Sequence, residues 1–287
     1  MTREKLLLLD FDGTLCLGDD PVLFYADRVD AQLRARNLAG HFAGRTVREI
    51  ATRAFAANTL LAPEIQYDAA GAPLTVGNEP THDDAKAHPV SWPLQDGYQL
   101  VQLLARQAGL TDAESGECFR AARRDLLAHG LEKTDVHASS GARQLVAEVR
   151  EHAVVVLVTN SPAEVFAPWL EALGLSQAFD LVINDARKPF GMPEALKRAR
   201  AAGTTAAGSR AAGVATADAS GQPIHPHQIL SVGDIWRNDL EHVAAIGGST
   251  VLIDRFDTGL GEPDHRVEGF GGAAQAILTW SNSAARV

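Results

Sequence analysis

The sequence predicts an α/β fold with a doubly wound parallel sheet and an inserted, mainly helical second domain. Short apolar segments alternate with amphipathic helical patterns over residues 139–287, which is typical of consecutive strand–helix–strand units. The apolar segments, such as residues 154–158, lack polar alternation, as expected for strands covered on both faces. Helical patterning at 17–138 interrupts the first strand–helix connection. We therefore predict a core of residues 1–16 and 139–287 and an inserted domain of residues 17–138.

The first strand is a run of four leucines that ends in Asp10-Phe11-Asp12-Gly13-Thr14. Along a strand, this spacing places both carboxylates on one side and Phe11 on the other, and Gly13 permits a sharp turn. Such a pair can simply cap a turn. Two adjacent carboxylates nevertheless repel each other unless they share a cation, and Mg²⁺ prefers such oxygen ligands.

The inserted block contains two pairs of helical patterns on either side of an irregular segment. Apolar residues at three- and four-residue steps predict helices over 22–39, 44–58, 96–109 and 112–129. The last of these starts with a capping-box spacing. The segment 60–93 is rich in proline and contains glycine, which is consistent with either a substrate lid or an irregular loop.

The remaining core elements alternate in order. The predicted elements are a helix at 140–151, a strand at 154–158, a helix at 162–173, a strand at 179–183, a helix at 192–202, a strand at 229–232, a helix at 238–246, a strand at 250–253 and a helix at 271–281. The Ala-, Gly-, Ser- and Thr-rich segment 203–223 is interpreted as a flexible insertion.

Composition excludes several classes of protein. A net charge of −10 argues against a nucleic-acid partner. Two cysteines are too few for a disulfide framework, and the leucine run is too short for a signal peptide. No apolar stretch approaches the ~20 residues that span a bilayer. We expect a soluble cytoplasmic protein without a membrane partner, and the oligomeric state stays open.

Polar residues follow four of the predicted strands. In parallel sheets, ligands bind beyond the carboxyl ends of the strands. A carboxylate can attack a phosphoryl group, a hydroxyl and backbone N–H groups can bind its oxygens, and a lysine can neutralise them. The candidate residues are Asp10, Asp12, Thr159, Asn160, Lys188, Asp234 and Asp239.

The ordered set resembles the motifs of the haloacid dehalogenase (HAD) superfamily. The matching stretches are Asp10-Phe11-Asp12-Gly13-Thr14-Leu15, Thr159-Asn160, Lys188-Pro189, and Gly233-Asp234 with Asp239. The resemblance implies a Rossmann-like core whose inserted domain is a helical C1-type cap. It also implies roles: Asp10 as nucleophile and Mg²⁺ ligand, Asp12 as general acid/base with its carbonyl on the metal, Thr159 and Lys188 on the phosphoryl group, and Asp234 and Asp239 at the metal.

Asp12 favours phosphate monoesters as substrates. An ester oxygen leaves with a proton, whereas a halide does not need one. We therefore expect a Mg²⁺-dependent phosphatase that hydrolyses a small phosphorylated metabolite through an aspartyl-phosphate on Asp10. A phosphomutase on the same scaffold and a phospho-acceptor signalling or binding module are the alternatives.

Several charged residues near these motifs have competing interpretations. Lys197 is the alternative to Lys188 as the phosphate-binding lysine. Arg187 is expected to be a solvated charge and Asp185 a loop or capping residue rather than a metal neighbour. The arginines of residues 22–58 are expected to form a solvated helical face rather than to recognise an acidic substrate group.

Overall fold

The computed structural model describes residues 3–67, 73, 94–206 and 224–283. The chain divides into two compact units: unit 1 is Met1–Leu17 with His137–Val287, and unit 2 is Gly18–Val136. Most of the irregular segment 60–93 and of the small-residue segment 203–223 lies outside the described residues.

Unit 1 is built on a six-stranded sheet in which every neighbouring pair is parallel. Its strand order is β5-β4-β1-β6-β7-β8, and β2 and β3 form a separate antiparallel pair. The strands are β1 Lys5–Leu9, β2 Cys16–Leu17, β3 His137–Ala138, β4 Ala153–Val158, β5 Leu181–Ile183, β6 Ile229–Gly233, β7 Ser249–Ile253 and β8 His265–Val267. The predicted fold class is confirmed.

The leucine run occupies the middle of this sheet. β1 lies between β4 and β6, and Leu6 to Leu9 are at most 1% exposed. A strand paired on both edges and covered on both faces has no solvent side, which explains the absence of polar alternation. The strand order also places the ends of β1, β4 and β6 beside one another.

The helices of unit 2 pack around α1. In chain order they are α1 Asp20–Ala35, α2 Val47–Ala56, α3 Gly97–Gln107 and α4 Asp112–His129. Side-chain caps start three of them, with capping boxes at α2 and α4 and the Asp96 carboxylate at α3. α1 ends earlier than predicted, at a turn in which Asn37 has a φ of 57°.

Most of the arginines predicted to form a solvated face are paired with carboxylates inside unit 2. Arg28 pairs with Asp125, Arg36 with Glu114, Arg48 with Asp27, and Arg45 and Arg53 with Glu64. All five guanidinium groups are more than one third exposed. Their pairing favours the structural interpretation over recognition of an acidic substrate group.

The helices of unit 1 differ from the predictions in three places. They are α5 Ala142–Val149, α6 Ala167–Ala172, α7 Met192–Ala206, α8 Glu241–Ala245 and α9 Phe270–Asn282. The predicted helix 162–173 is split into a short 3₁₀ helix and α6, and α7 continues through Gly203. A π-helix, Trp236–Leu240, precedes α8 where a single α-helix was predicted.

Strand β8 was missed because it has only three residues and exposed charges.

Within the described parts of the chain, no helix has the length and apolar character needed to span a membrane.

Candidate active site

Asp10 lies directly after β1, where the chain turns. The backbone N–H of Asp10 donates to the carbonyl of Val232 on β6 over 2.9 Å, which extends the ladder one residue past the strand. Phe11 points into the core, where its ring packs edge-on against Phe166 with centroids 4.7 Å apart. The carbonyl of Phe11 accepts from three successive N–H groups, the last of them from Cys16 at 2.8 Å. The aromatic anchor therefore fixes the turn that carries the two acids.

Gly13 is needed because the turn approaches Asp234 closely. Its φ is +77°, and a Cβ built on it would lie 2.0 Å from Asp234 Oδ2. An L side chain would be strained by the backbone conformation and would displace the carboxylate. The glycine of the first motif thus leaves space for an acid that lies more than two hundred residues further along the chain.

Thr159 and Asn160 form a tight turn at the end of β4. The Thr159 N–H donates to the carbonyl of Ile183 on β5 (2.9 Å), and its side-chain Oγ1 accepts from the N–H of Ser161 (3.0 Å). The Asn160 amide binds the backbone of Lys188 twice: Oδ1 accepts from its N–H at 2.7 Å, and Nδ2 donates to its carbonyl at 3.3 Å. The Asn160 side chain therefore positions the lysine, and the phosphate-binding role predicted for this residue stays a prediction.

The loop after β5 holds Lys188 in a fixed conformation. Asp185 and Arg187 both have positive φ, at 48° and 54°. Such conformations are costly for non-glycine residues and persist where surrounding contacts impose them. Asp185 accepts from the N–H of Ala163 at 3.1 Å and is exposed, and so is Arg187. Asp185 therefore caps the 3₁₀ helix, and Arg187 is a solvated charge.

Lys188 lies between two buried carboxylates. Its Nζ donates to Asp10 Oδ1 at 2.5 Å and to Asp239 Oδ1 at 2.6 Å, and all three side chains are at most 8% exposed. The competing Lys197 is 79% exposed and 3.6 Å from Glu194 on the same helix. Of the two lysines, only Lys188 contacts the acidic residues of the strand ends.

Asp239 reaches the acids through the π-helix. Its Oδ2 accepts from the N–H of Ile235 at 3.0 Å, and its carbonyl accepts from the Ser231 hydroxyl at 2.7 Å. The carboxylate oxygens of Asp10, Asp234 and Asp239 come within 4.8 Å of one another. π-Helical turns are rare and frequently occur at functional sites, so this one supports the choice of Asp239 as a candidate residue.

Three buried carboxylates face one buried ammonium in this cluster. Burial raises the pKa of Asp10 to about 7. The attraction of Lys188 offsets this rise only in part, and the repulsion from Asp239 increases it. Burial alone would lower the pKa of Lys188, but Asp10 and Asp239 hold it above its usual value. The cluster therefore carries uncompensated negative charge in the absence of a further cation.

Asp12 lies on the same turn as Asp10 but outside that cluster. Its side chain is half-buried, and its Oδ2 accepts from the Ser161 hydroxyl at 3.1 Å. The two acids of the first motif thus differ in one respect: Asp10 is paired with the Lys188 ammonium and also accepts from the Thr14 hydroxyl at 3.4 Å, whereas Asp12 accepts from the Ser161 hydroxyl.

The geometry of this strand-end site agrees with the match to a known family. The model of the haloacid dehalogenase-like hydrolases matches residues 4–247. The chain belongs to this family. The match includes every candidate residue named from the sequence. A search of the curated proteins gives no match for this HAD hydrolase.

Solved structures with the same fold cover nearly the whole HAD hydrolase. A predicted phosphoglycolate phosphatase from Haemophilus somnus is 17% identical, with 96% of this chain and 99% of that one covered and a TM-score of 0.52. A haloacid dehalogenase-like hydrolase from Streptococcus pneumoniae is 12% identical, with 98% and 99% covered and a TM-score of 0.52. CbbY from Rhodobacter sphaeroides, in complex with phosphate, is 13% identical, with 93% and 94% covered and a TM-score of 0.50.

Sequence reasoning missed Ser161 and Asn184 as parts of the site. Ser161 contacts Asp12, and the Asn184 amide donates to the Ser161 carbonyl at 3.2 Å. Both residues follow strands of the sheet, so their position was a usable signal. Their side chains, however, have no charge and match no metal-ligand pattern.

Proposed function

We propose that this HAD hydrolase is a Mg²⁺-dependent phosphatase that acts on a small phosphorylated metabolite through an aspartyl-phosphate on Asp10. One observation carries the proposal: a buried carboxylate paired with a lysine lies two residues from a second carboxylate that accepts a hydrogen bond from a serine hydroxyl. The first is suited to nucleophilic attack and the second to proton transfer.

The acidic cluster fits a hard divalent cation. Its potential ligands are all carboxylate oxygens, without histidine or cysteine, and such donors suit Mg²⁺. Its uncompensated negative charge provides the affinity. Asp10, Asp234 and Asp239 would hold the ion, with the Asp12 carbonyl as the resemblance implies. When bound, Mg²⁺ would neutralise the phosphoryl oxygens and so lower the barrier to attack by an anion.

The protein's own residues divide the remaining work. An Asp10 carboxylate oxygen attacks phosphorus while the bond to the ester oxygen breaks, and Asp12 donates a proton to that leaving oxygen. Lys188 and the Thr159 hydroxyl bind phosphoryl oxygens. Asp12, now a carboxylate, then takes a proton from the water that attacks the phosphorus of the aspartyl-phosphate. Hydrolysis releases inorganic phosphate and restores both acids.

The names of two structural relatives support this chemistry. One is a predicted phosphoglycolate phosphatase, and the other was solved in complex with phosphate. We further propose that unit 2 serves as the cap and contributes to substrate selection, as the resemblance implies.

The proposal is tested with p-nitrophenyl phosphate, with and without Mg²⁺, on the purified chain and on Asp10→Asn. We expect metal-dependent release of p-nitrophenol that is lost in Asp10→Asn, because an amide is a poor nucleophile. Rapid acid quenching with ³²P-labelled substrate should trap a phosphoprotein in the parent chain alone. Metal-independent turnover, or full activity in Asp10→Asn, would contradict the mechanism.

A further inference from the structure

We infer that Ser161 is a positioning residue for the proton transfer assigned to Asp12, an inference that rests on the proposed function. Ser161 directly follows Thr159-Asn160, and its hydroxyl donates to Asp12 Oδ2 at 3.1 Å.

Ser161 is itself held on every side. It is 1% exposed, and its N–H donates to Thr159 Oγ1 at 3.0 Å. Its carbonyl accepts from Asn184 Nδ2 at 3.2 Å and from the N–H of Asp185 at 3.1 Å. The hydroxyl is therefore anchored to the loop that also carries Lys188. A donor on such a rigid support can fix the orientation of its acceptor.

Asp12 is the acid that needs orientation. Its backbone is fixed by the turn, where Gly13 N–H donates to the Cys16 carbonyl at 3.0 Å. Asp12 is only half-buried, so packing alone does not stop its carboxyl group from rotating. Such a rotation would move the proton away from the leaving oxygen. The Ser161 hydroxyl holds Oδ2 as an acceptor, and a donor on that oxygen disfavours a proton there, so we place the proton on Oδ1. That proton passes from Oδ1 to the ester oxygen as the phosphorus–oxygen bond breaks.

This role predicts an effect that depends on the leaving group. p-Nitrophenolate leaves with little help from an acid, whereas an alkoxide requires a proton. The readout is kcat/KM, because it ends at departure of the leaving group and excludes the later attack of water, in which Asp12 also takes a proton. In Ser161→Ala, we expect kcat/KM for an alkyl phosphate such as glycerol phosphate to fall roughly 10- to 100-fold, the range of one hydrogen bond to a group that becomes charged. We expect kcat/KM for p-nitrophenyl phosphate to fall less than about 3-fold.

Two further variants make the test specific. Ser161→Cys keeps the shape with a weak donor and should show the same selective loss. Ser281→Ala is the matched control, because Ser281 is also a buried serine of unit 1 whose hydroxyl donates to a backbone carbonyl, that of Leu278. It should leave the ratio of the two kcat/KM values unchanged.

The outcomes separate the inference from the function on which it rests. The inference is overturned if Asp12→Asn shows the selective loss in kcat/KM and neither Ser161 variant does, or if the Ser161 variants lower kcat/KM equally for both substrates. If Asp12→Asn lowers kcat/KM equally for both substrates, the assignment of Asp12 as the general acid itself fails. If the parent chain hydrolyses neither substrate with Mg²⁺, the proposed function fails and the inference fails with it.

Discussion

Lys188→Met removes the ammonium that lies between two buried carboxylates. Nζ is 2.5 Å from Asp10 and 2.6 Å from Asp239, and the three side chains are 4%, 8% and 3% exposed. Loss of one partner of a buried ion pair costs about 3–5 kcal/mol, because the remaining charge is left unpaired in a medium of low polarity. We expect the free energy of unfolding in EDTA to fall by about that amount.

A divalent cation should offset much of this loss. The variant has three carboxylates and no ammonium in the cluster, so Mg²⁺ should bind it more tightly than it binds the parent chain. A ligand at 100 times its Kd stabilises the folded state by about 2.7 kcal/mol. The stability gap between variant and parent should therefore narrow when Mg²⁺ replaces EDTA.

The assay is urea unfolding followed by tryptophan fluorescence, which reports mainly on unit 1 because Trp169, Trp236 and Trp280 lie there. Lys197→Met is the matched control: its lysine is 79% exposed, and removing it should change stability by less than about 0.5 kcal/mol. Equal stability of the two variants in EDTA would refute the reasoning about Lys188. A gap that stays constant in Mg²⁺ would refute the idea that the ammonium and the metal compensate the same carboxylates.

Three further substitutions have defined expectations. Gly13→Ala should lower kcat/KM by about 100-fold in steady-state kinetics, because its Cβ would lie 2.0 Å from Asp234 Oδ2 and displace that carboxylate. Near-parental activity would contradict this expectation. Asp30→Ala should cost about 1–3 kcal/mol in urea unfolding, because this buried carboxylate accepts from two N–H groups at the start of α2, at 2.7 and 3.0 Å. Burial alone would raise the pKa of Asp180, but hydrogen bonds from Arg150 and other donors lower it overall. A carboxyl group whose pKa is lowered by folding stabilises the folded state above pH ~4, and this stabilisation is lost as the pH falls further. Asp180→Asn should therefore be less stable than the parent chain at pH 7. The difference between their urea midpoints should shrink toward pH 3.

The predicted α/β class and most elements of unit 1 follow from local pattern. Apolar runs without alternation give strands buried on both faces, and the glycines and capping residues between them mark helix ends. The errors fall where a pattern is too short or is overridden by packing. β8 has three residues, and the π-helix at Trp236–Leu240 replaces a regular helical start. The π-helix is too short for its different hydrogen-bonding pattern to be recognised from the spacing of apolar residues.

The sequence also named the charged residues of the candidate site, but it gave no sign of a second contact made by Asn160. The expected binding of phosphate by Asn160 stays a prediction, and the structure places its side-chain amide on both backbone groups of Lys188. The choice of Lys188 over Lys197 agrees with the geometry, because only Lys188 contacts Asp10 and Asp239. An asparagine in such a turn is expected to form hydrogen bonds, but the partner of its side-chain amide depends on which loop lies beside it in the folded protein.

By itself, the sequence determined that acids, a hydroxyl and a lysine end successive strands of a parallel sheet, since strand ends are local features. Only the tertiary structure decided which of these groups meet. β1 lies between β4 and β6, so Asp10 faces Lys188, Gly13 adjoins Asp234, and the Ser161 hydroxyl reaches Asp12. Strand order is a property of the folded sheet and of its packing, and residues about 150 positions apart carry no local signal that they will be neighbours.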